Sequence, residues 1–269
     1  MKSLYLKSCN ACVRYYALPG EGPAWVYLPG LLIPALANFL SVVAHPALRD
    51  HRTLLVDYLG SGLSDHPTAF GHRMEDHAES VAAILEHEGI RDCTLIGHSM
   101  GGTVGILLAL QNPHLVARLI VSEANLSPGG GSATRRIAAS SREDYVGRVF
   151  PESLASWREA AAAGDAQAAR SNGWWGQVDP AALHAASVSL VQLDPNLKAR
   201  YFRLPIPRTF MYGEHSLPER TGAVRADAPD PRELEANGIH VRIVPGAGHN
   251  QMLDNLDGFV GMLRYATSQ

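Results

Sequence analysis

A serine with glycines two residues before and two residues after it is the strongest chemical feature of the sequence. The pentapeptide Gly97-His98-Ser99-Met100-Gly101 follows an apolar run at residues 93–96 and precedes an apolar helical stretch. This spacing is typical of a sharp strand-to-helix turn that exposes a nucleophilic serine hydroxyl. Small flanking residues let the chain turn that tightly. We therefore predict that Ser99 is a nucleophile; the alternative is an incidental serine in a glycine-rich turn.

A serine hydroxyl is a poor nucleophile unless a general base accepts its proton. Among the 12 histidines, His249 is the best candidate because it lies in the glycine-rich loop after the last predicted strand. From there its ring can reach the carboxyl edge of a parallel sheet, where the turn at Ser99 also lies. The alternative is a histidine in a surface loop. We predict that His249 is the base.

These side chains need a scaffold, and the hydropathy pattern predicts one with alternating strands and helices. Apolar runs predict eight short strands, at residues 5–8, 13–17, 24–28, 53–56, 93–96, 119–121, 209–212 and 240–244. Helical periodicity occurs at residues 74–88, and residues 101–111 are apolar nearly all round. Such alternation indicates an α/β fold with a mostly parallel sheet that helices cover on both faces.

One long segment interrupts the alternation. Residues 126–204 are rich in alanine, have a helical pattern and contain no convincing strand. We predict an all-helical insertion, or cap, at residues 126–204. The core domain then comprises residues 1–125 and 205–269.

The chain resembles the α/β-hydrolase superfamily, in particular members with a serine nucleophile and a helical cap. The resemblance is carried by Tyr27-Leu-Pro-Gly-Leu31, Asp57-Tyr-Leu-Gly-Ser-Gly-Leu-Ser64, the turn at Ser99 and Gly246-Ala-Gly-His249. It implies the α/β-hydrolase fold and an oxyanion hole made by two backbone N–H groups. By position these belong to Met100, directly after the nucleophile, and to Leu31, after the early strand.

The acid of the triad does not stand at the position that many members of this family use. That position, three residues after the glycine that ends the penultimate strand, holds Ser216, which cannot carry a negative charge. Some members instead place their acid at the end of the next strand, which follows the helix that begins at the nucleophile. In this sequence that position holds Glu123. We predict a Ser99, Glu123 and His249 triad, with Glu214 or Asp254 as alternative acids. A further alternative is that Glu123 pairs with a nearby arginine, Arg135 or Arg136.

Several other motifs favour structural roles. Cys9-Asn-Ala-Cys12 is predicted to be a hairpin turn because no second ligand pair accompanies it. His66, His72 and His77 lack regular ligand spacing and indicate a solvated loop rather than a zinc site. The glycines between Asp57 and Ser64 suggest a loop near the site, not a dinucleotide fingerprint. We therefore expect no metal and no organic cofactor.

The substrate pocket is predicted from residues near the nucleophile and in the insertion. Leu32, His98, Trp174 and Trp175 are its candidate lining residues, and the apolar run at residues 31–33 favours a hydrophobic substrate. We expect hydrolysis of an ester or lactone of such a small molecule through an acyl-enzyme. The alternatives are hydrolysis of a carbon–carbon bond by the same triad, and a ligand-binding receptor of this fold with weak catalysis.

Composition restricts the partners. The net charge of −3 offers no bulk basicity to recruit nucleic acid or an anionic membrane. Proline and polar residues interrupt the most apolar region, residues 28–48, so no transmembrane helix is predicted. Three cysteines cannot form a closed disulfide framework, so we expect a reduced, cytoplasmic compartment.

Overall fold

A computed structural model of the chain, which describes residues 1–267, contains one eight-stranded sheet. Its strands are β1 (Lys2–Leu6), β2 (Ala11–Leu18), β3 (Glu21–Leu28), β4 (His51–Asp57), β5 (Cys93–His98), β6 (Val116–Ser122), β7 (Arg208–Gly213) and β8 (His240–Val244). Their order in space is β1-β2-β4-β3-β5-β6-β7-β8. The pairs β1–β2 and β2–β4 are antiparallel, and all other neighbours are parallel. The predicted mostly parallel α/β sheet is confirmed.

Helices cover both faces of this sheet. Those of the core are α1 (Ala35–Val43), α2 (Met74–His87), α3 (Met100–Gln111) and, near the C-terminus, α10 to α13 (Pro218–Thr221, Pro231–Ala236, Gln251–Asp254 and Leu256–Thr267). Between β6 and β7 the chain forms α4 (Ser132–Ala138), α5 (Arg142–Asp144), α6 (Phe150–Ala162), α7 (Ala166–Trp175), α8 (Pro180–Val191) and α9 (Leu197–Phe202). A π-helical turn, Tyr145–Val149, joins α5 to α6. No strand lies within residues 126–204, all of which the structure describes.

The side chains of the central strands alternate between two apolar layers. Along β3, Val26 and Leu28 belong to the layer beneath α2 and α3, whereas Trp25 and Tyr27 belong to the layer beneath α1 and α13. This alternation follows from the two-residue period of a strand. Both faces are buried, which explains why these strands are continuously apolar.

The first predicted strand was displaced, by three residues at its start and by two at its end. It spans Lys2–Leu6 rather than residues 5–8, because the turn that follows begins at Lys7. The Cys9 N–H donates to the carbonyl of Leu6 across that turn, at 3.4 Å. Both Cys9 and Cys12 are free thiols at this hairpin. Within residues 1–267, no helix is long and apolar enough to cross a bilayer.

Candidate active site

The site lies where the order of the parallel strands reverses direction. β3 has β4 on one side and β5 on the other, and Leu28 of β3 pairs with Gly97 of β5. In open α/β sheets, a crevice forms at the carboxyl ends of the strands beside such a reversal. Gly30 and Ser99 follow these two strands, so both lie at this crevice.

Ser99 occupies a strained turn between β5 and α3. Its φ of 51° and ψ of −118° are unusual for a residue with a side chain. Close backbone packing enforces the turn, since a Cβ on Gly101 would lie 2.1 Å from the carbonyl oxygen of Leu28. The Ser99 N–H donates to the carbonyl of Ser122, at 2.7 Å, which ties the turn to the end of β6.

Glu123 follows β6 directly and is buried completely. It too has a positive φ, of 54°. One carboxylate oxygen, Oε1, accepts the N–H of Gly213 at 2.8 Å and lies 3.4 Å from the amide nitrogen of Gln251. The other, Oε2, lies 3.6 Å from Nδ1 of His249. The structure therefore brings Glu123 to His249, at a separation slightly longer than a hydrogen bond.

His249 lies on the loop after β8, with 39% of its side chain exposed. Burial lowers the pKa of its imidazole, but the Glu123 carboxylate more than offsets this, so the pKa is raised above its usual 6.5. Asp227 and Arg225 act on the same pKa more weakly and in opposite directions, the carboxylate raising it and the guanidinium lowering it. Within residues 1–267 no hydrogen bond joins Ser99 to His249; such contacts commonly tighten only when substrate binds.

The two alternative acids are engaged elsewhere. Glu214 accepts from the guanidinium of Arg220 at 2.8 Å and from the N–H of Gly246 at 2.9 Å. Asp254 accepts the N–H of Gly248 at 2.9 Å. Neither forms an ion pair with His249 in the described part of the chain, and neither Arg135 nor Arg136 pairs with Glu123. The geometry thus favours Glu123 over both alternatives.

The two N–H groups expected to form an oxyanion hole flank the crevice. Met100 is the first residue of α3, so its N–H has no acceptor inside the helix. Leu31 follows Gly30, whose N–H donates to Oδ1 of Asn38 at 2.8 Å. Across residues 1–267, neither the Leu31 nor the Met100 N–H donates to another protein group. Neither N–H is therefore committed to an acceptor in the described part of the protein.

His98 is buried beside the nucleophile and connects two loops of the site. Its Nε2 lies 3.0 Å from the backbone oxygen of His249, and its Nδ1 lies 3.2 Å from Oδ1 of Asn38. Burial and the neighbouring His249 lower the pKa of His98 to about 3, so its ring is neutral. A neutral imidazole carries one N–H, so it can donate to only one of these oxygens at a time. Asn38, which sequence reasoning missed, also positions Gly30.

A cavity of about 850 Å³ opens above Ser99 and His249. His98, Trp174 and Trp175 line it as predicted, together with Leu31. Leu32 does not: its side chain is fully buried below the cavity, and its carbonyl accepts the Ser61 hydroxyl. The choice of Leu32 was therefore wrong, because the chain turns at this residue with a φ of 47° and directs its side chain into the core.

The remaining lining differs from the apolar pocket that the sequence suggested. Four arginines and two aspartates line the same cavity, namely Arg135, Arg136, Arg170, Arg225, Asp165 and Asp227. Sequence reasoning missed all six as lining residues, because it considered Arg135 and Arg136 only as possible partners of Glu123. They come from α4, from α7 and its N-cap, and from the loop between α10 and α11, and no sequence spacing marks these three segments as neighbours.

The histidine-rich segment also differs from its prediction. His72 and His77 are buried at 4% and 0% exposure, rather than solvated. Their rings contact each other and the ring of Phe70, with His77 also against Tyr58. In residues 1–267 no group of three or more potential metal ligands comes together.

The loop between Asp57 and Ser64 has structural contacts, as expected. The Asp57 carboxylate accepts the N–H of Ala35 at 2.7 Å and the N–H of Leu63 at 3.0 Å. The Ser64 hydroxyl donates to the Asp57 carbonyl at 2.7 Å. These bonds fix the start of α1 beside the crevice.

Comparison with known proteins decides the family. A family model described as the alpha/beta hydrolase fold matches residues 19–202. The chain belongs to the alpha/beta hydrolase family. Among curated members, the mouse (Mus musculus) sn-1-specific diacylglycerol lipase ABHD11 is 36% identical over 130 residues, which are 47% of this chain and 41% of the lipase. The matched segment thus spans less than half of that relative.

Solved structures of other hydrolases share the fold along nearly the whole chain. A structure from a study of Nitrososphaera gargenis carboxylesterases has a TM-score of 0.78 at 16% identity and covers 99% of both chains. The enol-lactonase from Burkholderia xenovorans LB400 has a TM-score of 0.75 at 19% identity and covers 100% of both chains. At such identities the likeness concerns the fold alone.

Proposed function

We propose that this member of the alpha/beta hydrolase family is a serine hydrolase that cleaves an ester or lactone of a small molecule. The observation that carries the proposal is the buried carboxylate of Glu123, which lies 3.6 Å from Nδ1 of His249 beside the strained turn at Ser99. A carboxylate placed there fixes the imidazole tautomer and stabilises the imidazolium that forms during attack. The lipase, carboxylesterase and lactonase named among similar proteins agree with this choice.

The first half of the reaction forms an acyl-enzyme. Nε2 of His249 accepts the Ser99 proton as Oγ attacks the carbonyl carbon, and Glu123 faces the opposite ring nitrogen. The developing oxyanion accepts the N–H groups of Leu31 and Met100. A preorganised donor of this kind is worth about 3 kcal/mol in the transition state. The imidazolium then protonates the leaving alcohol oxygen as the carbon–oxygen bond breaks.

Water completes the reaction through the same groups. His249 accepts a proton from water, whose oxygen attacks the acyl carbon, and the imidazolium returns the proton to Ser99 as the acid product leaves. Asn38 and His98 act as positioning residues, because they hold the backbone at Gly30 and at His249 respectively. We propose that the helices within residues 126–204 act as the cap that closes the cavity over these groups.

Two measurements test the proposal together. A fluorophosphonate probe should label the wild-type protein and leave Ser99→Ala unlabelled, with His249→Ala labelled much more slowly. A panel of aryl esters and lactones should be turned over many times per enzyme, with Ser99→Ala as the blank. Equal labelling of wild type and Ser99→Ala would reject Ser99 as nucleophile. Release of no more than one equivalent of product would favour a receptor over an enzyme.

A further inference from the structure

The walls of the cavity above Ser99 carry more positive than negative charge. Four guanidinium groups line it against two carboxylates, at Arg135, Arg136, Arg170, Arg225, Asp165 and Asp227. This contrasts with the whole chain, whose net charge is −3. The excess of cations is therefore a local property of the cavity.

Both aspartates already have partners inside the protein. Asp165 caps α7, since its Oδ1 accepts the N–H groups of Gln167 and Ala168 at 2.8 and 3.0 Å. Asp227 pairs with Arg225, with 3.4 Å between Oδ1 and Nε. The negative charges in the cavity thus satisfy at most one of the four arginines.

The other three arginines have no carboxylate partner among the described residues. Arg135 donates from Nη1 to the carbonyl of Gly130 at 2.7 Å. Within residues 1–267, the side chains of Arg136 and Arg170 form neither a hydrogen bond nor an ion pair. Their positive potential is available to a bound anion.

Backbone hydrogen bonds fix the position of Arg225, although it lies outside any helix or strand. It belongs to a tight turn in which its N–H and its carbonyl bond to Ala228, at 3.0 and 3.1 Å. The same turn is fixed to the segment after Glu123, because the N–H of Leu126 donates to the carbonyl of Ala226 at 3.0 Å. Arg225 is half-buried and lines the same cavity as Ser99 and His249, and its positive charge lowers the pKa of His249 slightly. It therefore lies near the proposed chemistry.

The guanidinium of Arg225 presents a suitable face to a carboxylate. Its Nε faces Asp227, while Nη1 and Nη2 donate no hydrogen bond to any group of residues 1–267. A planar fork of this kind binds a carboxylate through charge-assisted hydrogen bonds. The carboxylate of Asp227 would repel a doubly charged phosphate more strongly than a singly charged carboxylate.

We propose that the substrate is an ester or lactone bearing a carboxylate, and that Arg225 binds this carboxylate inside the cavity. The inference rests on the serine hydrolase function proposed above and adds the substrate class. Arg136 and Arg170 attract the anion electrostatically. Trp174 and Trp175 line the cavity with apolar surface, so the body of the substrate can be apolar while one end is charged.

A pair of esters with equal chain length tests the inference. Mono-4-nitrophenyl glutarate carries a free carboxylate where 4-nitrophenyl valerate carries a methyl group. The wild type should show a kcat/KM at least about tenfold higher for the glutarate ester. The preference should shrink as the salt concentration rises from 50 to 500 mM, because salt screens exposed charges.

Variants assign the preference to Arg225. Arg225→Gln should reduce the glutarate-to-valerate ratio of kcat/KM by about 10- to 100-fold, and Arg225→Lys should retain part of it. The ratio is the correct readout, because loss of a charge near His249 alters turnover of both esters alike. Arg158→Gln is the matched control, since Arg158 lies on α6 outside the cavity lining; its ratio should equal that of wild type.

The outcomes separate this inference from the proposed function. If Ser99 is labelled by fluorophosphonate but the wild type prefers valerate, or Arg225→Gln leaves the ratio unchanged, the carboxylate inference is wrong and the hydrolase stands. If Ser99 is not labelled and neither ester turns over, the hydrolase proposal fails. Calorimetric titration of glutarate into wild type and Arg225→Gln then decides the anion site alone, and equal binding rejects it.

A variant at a second position covers the case in which Arg225→Gln does not fold. Arg170→Gln changes an exposed side chain of α7 that has no partner within residues 1–267. We expect it to lower the ratio by about threefold, because a more exposed charge is better screened. An unchanged ratio in a folded Arg170→Gln, together with no salt dependence in wild type, would overturn the inference.

Discussion

The two sides of the cavity are built in different ways. On the side of the sheet, hydrogen bonds from the backbone and from His98 hold the proposed catalytic residues, and Ser99 and Glu123 both adopt positive φ angles. On the side of the helices, the lining arginines have few partners and several side chains are exposed. Strained, over-determined positions are typical of sites where the chemistry needs one geometry. The helical side instead supplies charge and shape, which differ more easily between members of one fold.

Replacing the acid should have the largest effect on the sheet side. In Glu123→Gln, the amide oxygen can still accept the N–H of Gly213, but the negative charge beside His249 is lost. We expect kcat to fall by about 10⁴, as for amide replacement in a related triad, while KM changes little. Steady-state kinetics on an aryl ester measures both. Glu214→Gln is the control and should stay within about threefold of wild type, since its carboxylate bonds to Arg220 and Gly246.

The pH profile distinguishes a triad acid from a residue that only supports the fold. A raised His249 pKa means that the base is neutral, and kcat/KM highest, above that pKa, with activity falling as the pH falls through it. Glu123→Gln should move this acidic limb to lower pH, because the group that raises the pKa is gone. A limb that stays in place, with Glu214→Gln inactive instead, would transfer the role to Glu214.

Replacing a glycine by alanine should change the free energy of unfolding differently on the two sides of the cavity. A Cβ on Gly101 would lie 2.1 Å from the Leu28 carbonyl oxygen, which is backbone and cannot move aside. We expect Gly101→Ala to lower the free energy of unfolding by about 3 kcal/mol. Gly173 on α7 has no atom within 4 Å of its would-be Cβ, so Gly173→Ala should raise it by up to about 1 kcal/mol.

Urea unfolding monitored by circular dichroism measures both variants. Equal stabilities for Gly101→Ala and Gly173→Ala would show that the turn at Ser99 is less tightly packed than its contacts indicate. A destabilised Gly173→Ala would instead place a partner against that face of α7.

The sheet side was the part that sequence could predict, because local patterns determine it. The pentapeptide around Ser99 encodes a turn, and the late glycine-rich loop places His249 at the same sheet edge. Glu123 was predicted as the acid because Ser216 occupies the position where many members of the family have their acid. Leu32 was misassigned because hydropathy does not reveal a reversal of chain direction at a positive φ. The lining by Arg225 depends on tertiary packing between distant segments, which no spacing in the sequence records.

Histidine environments provide the next comparison. His249 has a carboxylate beside it, whereas His72 and His77 are buried with no hydrogen bond to either Nδ1 atom in residues 1–267. Burial lowers the pKa of His72 to about 4 and that of His77 as well. In the unfolded chain these groups take up protons near pH 6.5, so stability present above pH 6.5 is lost as the pH falls toward 4. The lowered pKa of His72 alone corresponds to a loss of roughly 3 kcal/mol in the free energy of unfolding over this pH range.

Removing one of these rings tests that linkage. His77→Phe keeps an aromatic ring against Tyr58 and Phe70 and cannot bind a proton. Its acid-unfolding midpoint should move to lower pH than that of wild type, as followed by tryptophan fluorescence. His87→Gln, at the exposed end of the same helix α2, should leave the midpoint unchanged. Identical midpoints for His77→Phe and wild type would exclude His77 as a source of acid instability.

The smallest expected change in activity comes from a hydrogen bond that joins the helical side of the cavity to the sheet side. Nε1 of Trp175, on α7, donates to the carbonyl of Leu31 at 3.1 Å, and the Leu31 N–H is a proposed oxyanion donor. Trp175→Phe keeps an aromatic wall but removes this bond, which contributes about 1 kcal/mol, so kcat should fall about fivefold. Trp174→Phe is the matched control, because Trp174 also lines the cavity yet its Nε1 donates to no group of residues 1–267. A larger loss of kcat in Trp174→Phe than in Trp175→Phe would mean that the tryptophans act through shape, and that the helices do not position Leu31.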